Sequence, residues 1–294
     1  MPRPRRQRIL ISGASSGLGA AMARRFAAGG HDLALVARRG DRLDALRAEL
    51  RAAHPEIRVR AATLDVDDAD AVAEVVPRLA GELGGLDRFI ANAGIGRGAP
   101  IGTGRSSANR ATLVTNVLGT HAQCEAAVAL FRAQGCGHLV LISSVASVRG
   151  MPGTWLAYAA SKAAVNALAE GIRAELLGTD IRVTTLLPGF IRTDIIAGRE
   201  ARFAVALDDG VAAMVAAIER EPARAVVPAW PWRPLTTLMR VLPLEMVARS
   251  VGNGTPLASD EAPESGPARL TGNVVAELPE NGLRTRATSL PADA

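Results

Sequence analysis

The chain contains one tyrosine and one lysine, and they stand four positions apart. Tyr158 and Lys162 are these two residues, because every other one of the 34 Lys and Arg residues is an arginine. On a helix, side chains at positions i and i+4 project from the same face. A neighbouring ammonium favours the phenolate and should lower the pKa of Tyr158. The pair could therefore exchange a proton near neutral pH, unless the spacing is a coincidence between a core tyrosine and a surface lysine.

The use of a single lysine supports the chemical interpretation. An ammonium is compact and its pKa moves with its surroundings, whereas a guanidinium stays charged at any pH at which a protein works. This chain uses arginine wherever a positive charge is enough and carries its one lysine beside its one tyrosine. The lysine therefore needs a chemical reason.

The elements that must position this pair follow from the apolar pattern. Short apolar segments alternate with alanine-rich segments of helical period up to about residue 228. The predicted strands are 8–11, 32–37, 57–64, 87–91, 138–142, 181–187 and 225–227, and the predicted helices are 17–29, 41–53, 67–83, 107–134, 157–177 and 208–219. Such alternation predicts an α/β fold, a Rossmann-type doubly wound parallel sheet that binds ligands at the carboxyl ends of its strands.

The composition changes after this alternating region. We expect residues 1–228 to form one domain, followed by an apolar helical extension over 229–251. Residues 252–294 are rich in Pro, Gly, Ser, Thr and charge, so we expect a disordered tail there.

A glycine-rich segment follows the first predicted strand and opens the first helix. Its residues Gly13, Ser15, Ser16, Gly17, Leu18 and Gly19 can let the backbone turn tightly and approach a diphosphate. Free N–H groups and the positive end of the helix dipole would meet the phosphate charge. A glycine trio alone is weak evidence, but after the first strand of an alternating pattern it predicts a dinucleotide site.

The end of the second predicted strand bears on which dinucleotide binds. An acidic residue there suits the ribose hydroxyls of NAD, whereas an arginine suits the 2′-phosphate of NADP. Arg38 and Arg39 stand at this position, so the sequence favours NADP and leaves NAD possible. The alternative is that the two arginines are a solvated pair at the start of an Arg-rich helix, and Asp41 lies nearby.

These segments together resemble the short-chain dehydrogenase/reductase family over about residues 8–228. The resemblance rests on the glycine segment and on residues that follow successive strands: Asn92, Ala93, Gly94, Asn116, Ser143, Ser144, Tyr158, Lys162, Pro188, Gly189 and Thr193. It implies an oxidoreductase that transfers a hydride between a nicotinamide cofactor and a ketone, aldehyde or secondary alcohol.

The resemblance also implies roles for individual residues. Tyr158 would exchange the proton on the substrate oxygen, Ser144 would hydrogen-bond that oxygen, and Lys162 would hold the ribose hydroxyls. Asn116 would hold a water in the proton relay. Asp65 and Val66 would lie near the adenine, Asn92, Ala93 and Gly94 along the dinucleotide, and Pro188, Gly189, Ile191 and Thr193 at the nicotinamide end.

One feature departs from the family pattern. Ser144 precedes Tyr158 by fourteen residues, one more than the family usually shows, and the loop 150–157 could absorb the additional residue. Ser143 fits less well, and Ser147 or Thr154 could substitute. The serine pair could also be structural, with hydroxyls that cap the strand end.

Composition limits the other functions. The net charge is +5 and the pI near 10.3, but the arginines are spread along helices and aromatic residues make up only 3%, so we expect no nucleic-acid partner. No apolar run is long enough to span a membrane or to form a signal-peptide core. Cys124 and Cys136 predict no disulfide framework or metal site and are expected to be small buried side chains, which together suggests the cytoplasm.

Two questions stay open at this level. Alanine-rich helices 107–134 and 157–177 could pair between subunits, which suggests a homodimer or homotetramer, or could be buried within one subunit. The apolar segment 230–251 could cover the substrate pocket, pack between subunits or rest on a lipid surface through its arginines. A lid or interface is the commoner fate, so we expect bulky apolar carbonyl substrates.

Two other functions compete with this reading. One is the same hydride chemistry with NAD in the oxidative direction. The other is a catalytically silent protein that senses the dinucleotide ratio. Such proteins commonly lose the tyrosine or the lysine, and this chain has both.

Overall fold

The computed structural model describes residues 7–193 and 203–251, and these belong to one compact unit. Its strands are β1 (Arg8–Ser12), β2 (Asp32–Ala37), β3 (Val59–Thr63), β4 (Arg88–Ala91), β5 (Cys136–Ile142), β6 (Asp180–Pro188) and β7 (Arg224–Val227). Its α-helices are α1 (Gly17–Ala28), α2 (Gly40–Ala53), α3 (Ala69–Leu83), α4 (Ser106–Leu113), α5 (Gly119–Gln134), α6 (Leu156–Glu175), α7 (Leu207–Glu219), α8 (Ala229–Val241) and α9 (Leu244–Val251). The predicted tail 252–294 lies outside the described residues.

The seven strands form one parallel sheet in the order β3-β2-β1-β4-β5-β6-β7. The order reverses between β1 and β4, so their carboxyl ends open onto the crevice where doubly wound sheets bind ligands. This confirms the predicted Rossmann-type fold.

Alternation along each buried strand builds two cores. Ile9 and Ile11 of β1 face the core under α1, α2 and α7, whereas Leu10 faces the core under α3, α5 and α6. Side chains of a strand point alternately to opposite faces, so helices must cover both faces of such a strand. The sheet is thereby fixed from both sides and can hold its strand ends in place.

The predicted helix 107–134 is wrong in one detail. A π-helical turn, Val114–Leu118, separates α4 from α5. In this turn Thr115 and Asn116 are both buried, and the Thr115 hydroxyl donates to Asp67 at 2.9 Å. Single π-turns inside helices are frequently found at functional sites. Helical periodicity alone could not show that this turn contains one residue more than a turn of α-helix.

Two local features complete the fold. Helix α8 begins at Ala229, and only Trp230 within it has non-helical backbone angles. Pro234 is tolerated because it lies in the first turn after that kink, where N–H groups have no helical partner. Cys124 is buried as expected, whereas Cys136 is exposed at the start of β5.

A buried polar cluster lies at the amino ends of β4 and β5, away from the strand ends that face the crevice. Arg88 is 1% exposed, donates to His138 Nδ1 at 2.9 Å and pairs with Glu219 at 2.5 Å. His138 Nε2 must then carry the hydrogen and donate to Thr184 Oγ1 at 2.9 Å. Burial, with a smaller contribution from Arg88, lowers the pKa of His138 to about 3.

This cluster predicts a pH dependence of stability. The folded chain keeps His138 neutral down to about pH 3, while the unfolded chain binds a proton near its ordinary pKa of 6.5. His138 therefore adds nothing to the pH dependence above 6.5, and as pH falls from 6.5 it lowers the free energy of unfolding by up to about 1.4 kcal/mol per pH unit.

His138→Gln isolates that contribution, because a glutamine amide can accept from Arg88 and donate to Thr184 without titrating. Urea unfolding of both proteins at pH 6.5 and 4.5 measures it. We expect the wild type to lose about 2–3 kcal/mol more than the variant over this interval. Equal losses would show that His138 titrates normally in the folded chain.

Candidate active site

The glycine segment lies where only glycine fits. Gly13 and Gly17 have φ values of +63° and +53°, which other residues rarely adopt. A Cβ on Gly13 would lie 2.9 Å from Ala93 Cα, and one on Gly19 would lie 2.3 Å from the Gly13 carbonyl oxygen. The loop, the start of α1 and the end of β4 are therefore packed backbone against backbone.

The first turn of α1 fits an anionic group. Ser16 is the N-cap, but its hydroxyl makes no cap hydrogen bond, and the first turn contains no acidic residue. The N–H groups of that turn and the positive end of the dipole are thus not neutralised by the helix itself. This is the donor set that a diphosphate requires.

Ser12, which the sequence analysis did not single out, joins β1 to β4. Its hydroxyl accepts from the N–H groups of Asn92 and Ala93, both at 3.0 Å. The Asn92 amide donates to the Ser12 carbonyl at 2.9 Å. The Asn92 side chain therefore fixes the crevice and leaves the backbone through Gly94 to face it. A buried serine at the end of the first strand was the available signal.

Tyr158 lies in the first turn of α6, and its hydroxyl is hydrogen-bonded to Ser144. Ser143 donates instead to the Lys162 carbonyl at 2.9 Å, and Ser147 donates to the Ser144 carbonyl at 2.5 Å. Short 3₁₀ turns at Val145–Val148 and Gly153–Trp155 lie between Ser144 and α6. The longer spacing thus still brings Ser144 to the tyrosine.

The pKa of Tyr158 moves opposite to the prediction. Burial raises it, and the hydrogen bond with Ser144 lowers it by less. The Lys162 ammonium is 5.9 Å from the centroid of the tyrosine ring, on the same helix face as expected. At that distance the ammonium does not offset the desolvation of the phenol.

Lys162 is itself buried, with 5% of its surface exposed. Its ammonium donates to the Ile142 carbonyl at 2.9 Å, the one hydrogen bond that it makes within residues 7–193 and 203–251. Burial lowers the pKa of Lys162 to about 8. A Cβ on Gly94 would lie 3.3 Å from Nζ, so the glycine leaves space beside two unused donors. Ribose hydroxyls fit this position.

Asn116 holds the neighbouring loop. Its Oδ1 accepts from the Ile95 N–H at 2.8 Å, and its Nδ2 donates to the Ile95 carbonyl at 2.9 Å and to the Ser161 hydroxyl at 3.0 Å. Ser161 in turn donates to the Tyr158 carbonyl at 2.7 Å. Both amide hydrogens of Asn116 are used. A relay water at this residue stays a prediction, and such a water would have to donate to one of the carbonyl oxygens of Asn116.

The two arginines after β2 point in different directions. Arg39 donates to Ser15 at 3.1 and 3.2 Å and to Ser16 at 2.5 Å, and it therefore lies over the glycine loop. Arg38 forms an exposed, long ion pair with Asp65 at 3.9 Å. Val66, next to Asp65, is buried.

The segment after β6 returns to the glycine loop. Gly189 donates to the Val227 carbonyl at 2.8 Å, and Ile191 pairs with Val205. Thr193 lies beside the loop, because a Cβ on Gly17 would be 3.8 Å from its methyl group. Pro188 ends β6 at the same edge. Residues 194–202 lie outside the described part.

Five aromatic side chains extend from Tyr158 to the C-terminal extension. Successive ring centroids are 5.9 Å apart for Tyr158 and Trp155, 6.0 Å for Trp155 and Phe190, 5.0 Å for Phe190 and Trp232, and 6.4 Å for Trp232 and Phe203. These separations lie in the favourable range for aromatic pairs. We call these five residues the aromatic chain. The low overall aromatic content gave no indication that most of the aromatic residues lie together here.

Comparisons with known proteins agree with this geometry. Residues 7–202 match the family model described as short chain dehydrogenase. The chain belongs to the short-chain dehydrogenase family. It is an oxidoreductase that uses a nicotinamide cofactor, and the family resemblance read from the sequence is confirmed.

The match with this chain covers nearly the whole length of two relatives. An uncharacterized oxidoreductase of Mycobacterium tuberculosis is 54% identical over 83% of this chain and 97% of its own. One from Myxococcus xanthus is 37% identical over 80% and 92%. Among solved structures, an alcohol dehydrogenase from Thermococcus sibiricus complexed with 5-hydroxy-NADP is 26% identical over 76% of this chain and 96% of its own, with a TM-score of 0.67. A Burkholderia phymatum family member in complex with NAD, 22% identical over 88% of this chain and 100% of its own, has a TM-score of 0.72 and supports the fold.

Proposed function

We propose that this enzyme uses NADP to interconvert a ketone or aldehyde with an alcohol, and that its substrate is apolar. The observation that carries the proposal is the arrangement of Ser144, Tyr158 and Lys162. The side chain of Ser144 is hydrogen-bonded to the phenol of Tyr158. The buried ammonium of Lys162 lies on the same helix face as Tyr158, at the strand ends that face the glycine loop.

Each of the three residues has a role that its surroundings support. Tyr158 gives a proton to the carbonyl oxygen or removes one from the alcohol, because its hydroxyl is the acid/base group at this edge. Ser144 donates to the same oxygen and stabilises the charge that develops there. Lys162 holds the ribose hydroxyls with its two remaining donors. The nicotinamide, when bound, supplies or accepts the hydride.

The remaining cofactor contacts follow the crevice. The first turn of α1, with Ser15, Ser16, Gly17 and Leu18, would hold the diphosphate. Asp65 and Val66 would line the adenine, and Asn92, Ala93 and Gly94 the middle of the dinucleotide. Pro188, Gly189, Ile191 and Thr193 would receive the nicotinamide amide, since Thr193 lies beside Gly17.

Arg39 supports the choice of NADP. Its guanidinium spans from the end of β2 to Ser15, so a 2′-phosphate at the adenosine ribose would find an arginine and a hydroxyl together. Arg38 is partly neutralised by Asp65 and contributes less. The Thermococcus sibiricus alcohol dehydrogenase and a serine dehydrogenase, both 26% identical to this chain, are described as complexes with 5-hydroxy-NADP and NADP+.

The aromatic chain supports an apolar substrate. It begins at the tyrosine hydroxyl that would meet the substrate oxygen and continues along Trp155 and Phe190. Met151, Ala159 and Val247 form a small apolar cluster next to Trp155. Groups attached to the reacting carbon would therefore contact rings and aliphatic side chains, which favours apolar substituents.

Three further predictions from the sequence stand beside this function. They are the division of the chain into a domain, an extension and a tail at residues 228 and 251, a homodimer or homotetramer, and a cytoplasmic location. No helix within the described ranges is long and apolar enough to cross a membrane.

Turnover of ketones and aldehydes of increasing apolar length tests the proposed function. With NADPH, we expect kcat/KM to rise with each added methylene group by up to about fourfold, since each buried CH₂ contributes about 0.8 kcal/mol. Tyr158→Phe is the matched control, because it removes one hydroxyl. It should fold and bind NADPH and lose about 10²–10⁴-fold in kcat.

Two results would contradict these assignments. A flat or falling series would exclude the apolar pocket. A Tyr158→Phe enzyme with more than about a tenth of the wild-type kcat would exclude Tyr158 as the acid/base group.

Arg39→Ala tests the choice of cofactor. If Arg39 contacts the 2′-phosphate, the variant should bind NADPH about 10–100-fold more weakly and bind NADH nearly as well as the wild type. Dissociation constants from nicotinamide fluorescence measure both. Arg51→Ala, at the far end of α2, is the control and should change neither. Equal weakening for both cofactors would make Arg39 a structural residue of the glycine loop.

A further inference from the structure

Helix α8 is apolar on two opposite faces. Its inner face carries the buried side chain of Trp232, which is 3% exposed, and places Met239 next to Trp155 and Val247. A Cβ on Gly189 would lie 2.1 Å from Trp232 Nε1, so this face is packed directly on the segment after β6. The inner face therefore belongs to the active-site side of the enzyme.

The outer face of α8 is apolar and exposed. Pro234, Leu238 and Val241 have the spacing i, i+4 and i+7, which places them in one row along the helix. Leu238 is 49% and Val241 77% exposed, and Trp230 at the start of the helix is 79% exposed. Exposed apolar side chains grouped in one row commonly mark a contact surface, so something is expected to cover this row.

An adjacent row on the same helix is basic. Arg233 and Arg240 precede Pro234 and Val241 by one residue each and are both exposed. Arg224 of β7 lies close enough to Arg240 for the two charges to interact. In the described part of the chain, no carboxylate lies within 4.0 Å of the Arg233 or Arg240 guanidinium, whereas the carboxylate of Glu170 acts on Arg224. The covering surface is therefore expected to supply negative charge.

The basic row argues against a second copy of the chain as the cover. A two-fold interface places the same patch of both subunits against itself. Arg233 and Arg240 would then face their own copies with no carboxylate of the described residues beside them. Like charges brought together at a desolvated contact are unfavourable.

An anionic lipid surface has both properties that the patch requires. Apolar side chains can enter the boundary of the acyl chains, tryptophan suits the interface, and arginines can reach the phosphate groups. We propose that the outer face of α8, with Trp230, Leu238 and Val241 flanked by Arg233 and Arg240, rests on anionic lipid bilayers. The inference concerns the surface alone and does not depend on the proposed reaction.

Co-sedimentation of the full chain with vesicles tests the proposal. We expect binding to phosphatidylcholine vesicles that contain phosphatidylglycerol, and weak binding to phosphatidylcholine alone. Leu238→Glu and Val241→Glu should remove most of the binding, and Arg233→Ala and Arg240→Ala should each weaken it about fivefold. High salt should weaken it too. Leu177→Glu is the control, because Leu177 lies in the turn after α6 and is 78% exposed, about as much as Val241.

Sedimentation velocity of the same variants without vesicles distinguishes the other covers. Loss of a dimer in Leu238→Glu, without vesicle binding by the wild type, would show that a second copy covers this face and would overturn the proposal. Vesicle binding that Leu177→Glu abolishes equally would overturn it as well. Failure of the wild type to bind anionic vesicles would leave an acidic protein as the partner and would also overturn it.

Discussion

Burial of the Lys162 ammonium imposes a cost that the rest of the site is arranged around. Lowering its pKa from 10.5 to about 8 corresponds to about 3 kcal/mol against folding at pH values below 8. The direction follows from linkage: the folded chain releases this proton more easily, so the cost is relieved as pH rises from about 8 to 10.5. One carbonyl, that of Ile142, meets the ammonium directly.

The neighbouring hydrogen bonds keep the ammonium at the strand ends. Ser143 binds the Lys162 carbonyl, and Ser161 links the Tyr158 carbonyl to the Asn116 amide. Asn116 then clamps Ile95, one residue beyond Gly94. The sheet, the π-helical turn and α6 are thus joined by one hydrogen-bond network around Lys162. A buried charge of this kind lowers the stability of the fold, so stability alone does not explain its presence.

Much of this arrangement follows from local patterns in the sequence. The alternating apolar segments predict the sheet and its two cores, because strands that are buried on both faces appear in the sequence as nearly continuous apolar runs. The glycine loop, Ser144, Tyr158 and Lys162 each follow a strand or open a helix, so chain order was enough to place them at one edge. The residues that carry these motifs lie at the same edge of the sheet.

Other features depend on contacts between distant parts of the chain. The π-helical turn, the occupied amide of Asn116 and the raised pKa of Tyr158 come from tertiary packing that periodicity does not encode. Which of two adjacent arginines lies over Ser15 is decided by side-chain direction at the end of β2. The aromatic chain joins residues far apart in sequence, so single positions such as Trp155 and Trp232 gave no signal.

The free energy of unfolding and the turnover of Lys162→Met, both at pH 7, test most directly whether this buried charge is present for chemistry. Methionine is similar in length and carries no charge, so it should fill the same space. The account predicts a variant at least as stable as the wild type in urea, with kcat lower by about 100-fold or more. A marked loss of stability, or a kcat within about tenfold of the wild type, would contradict it.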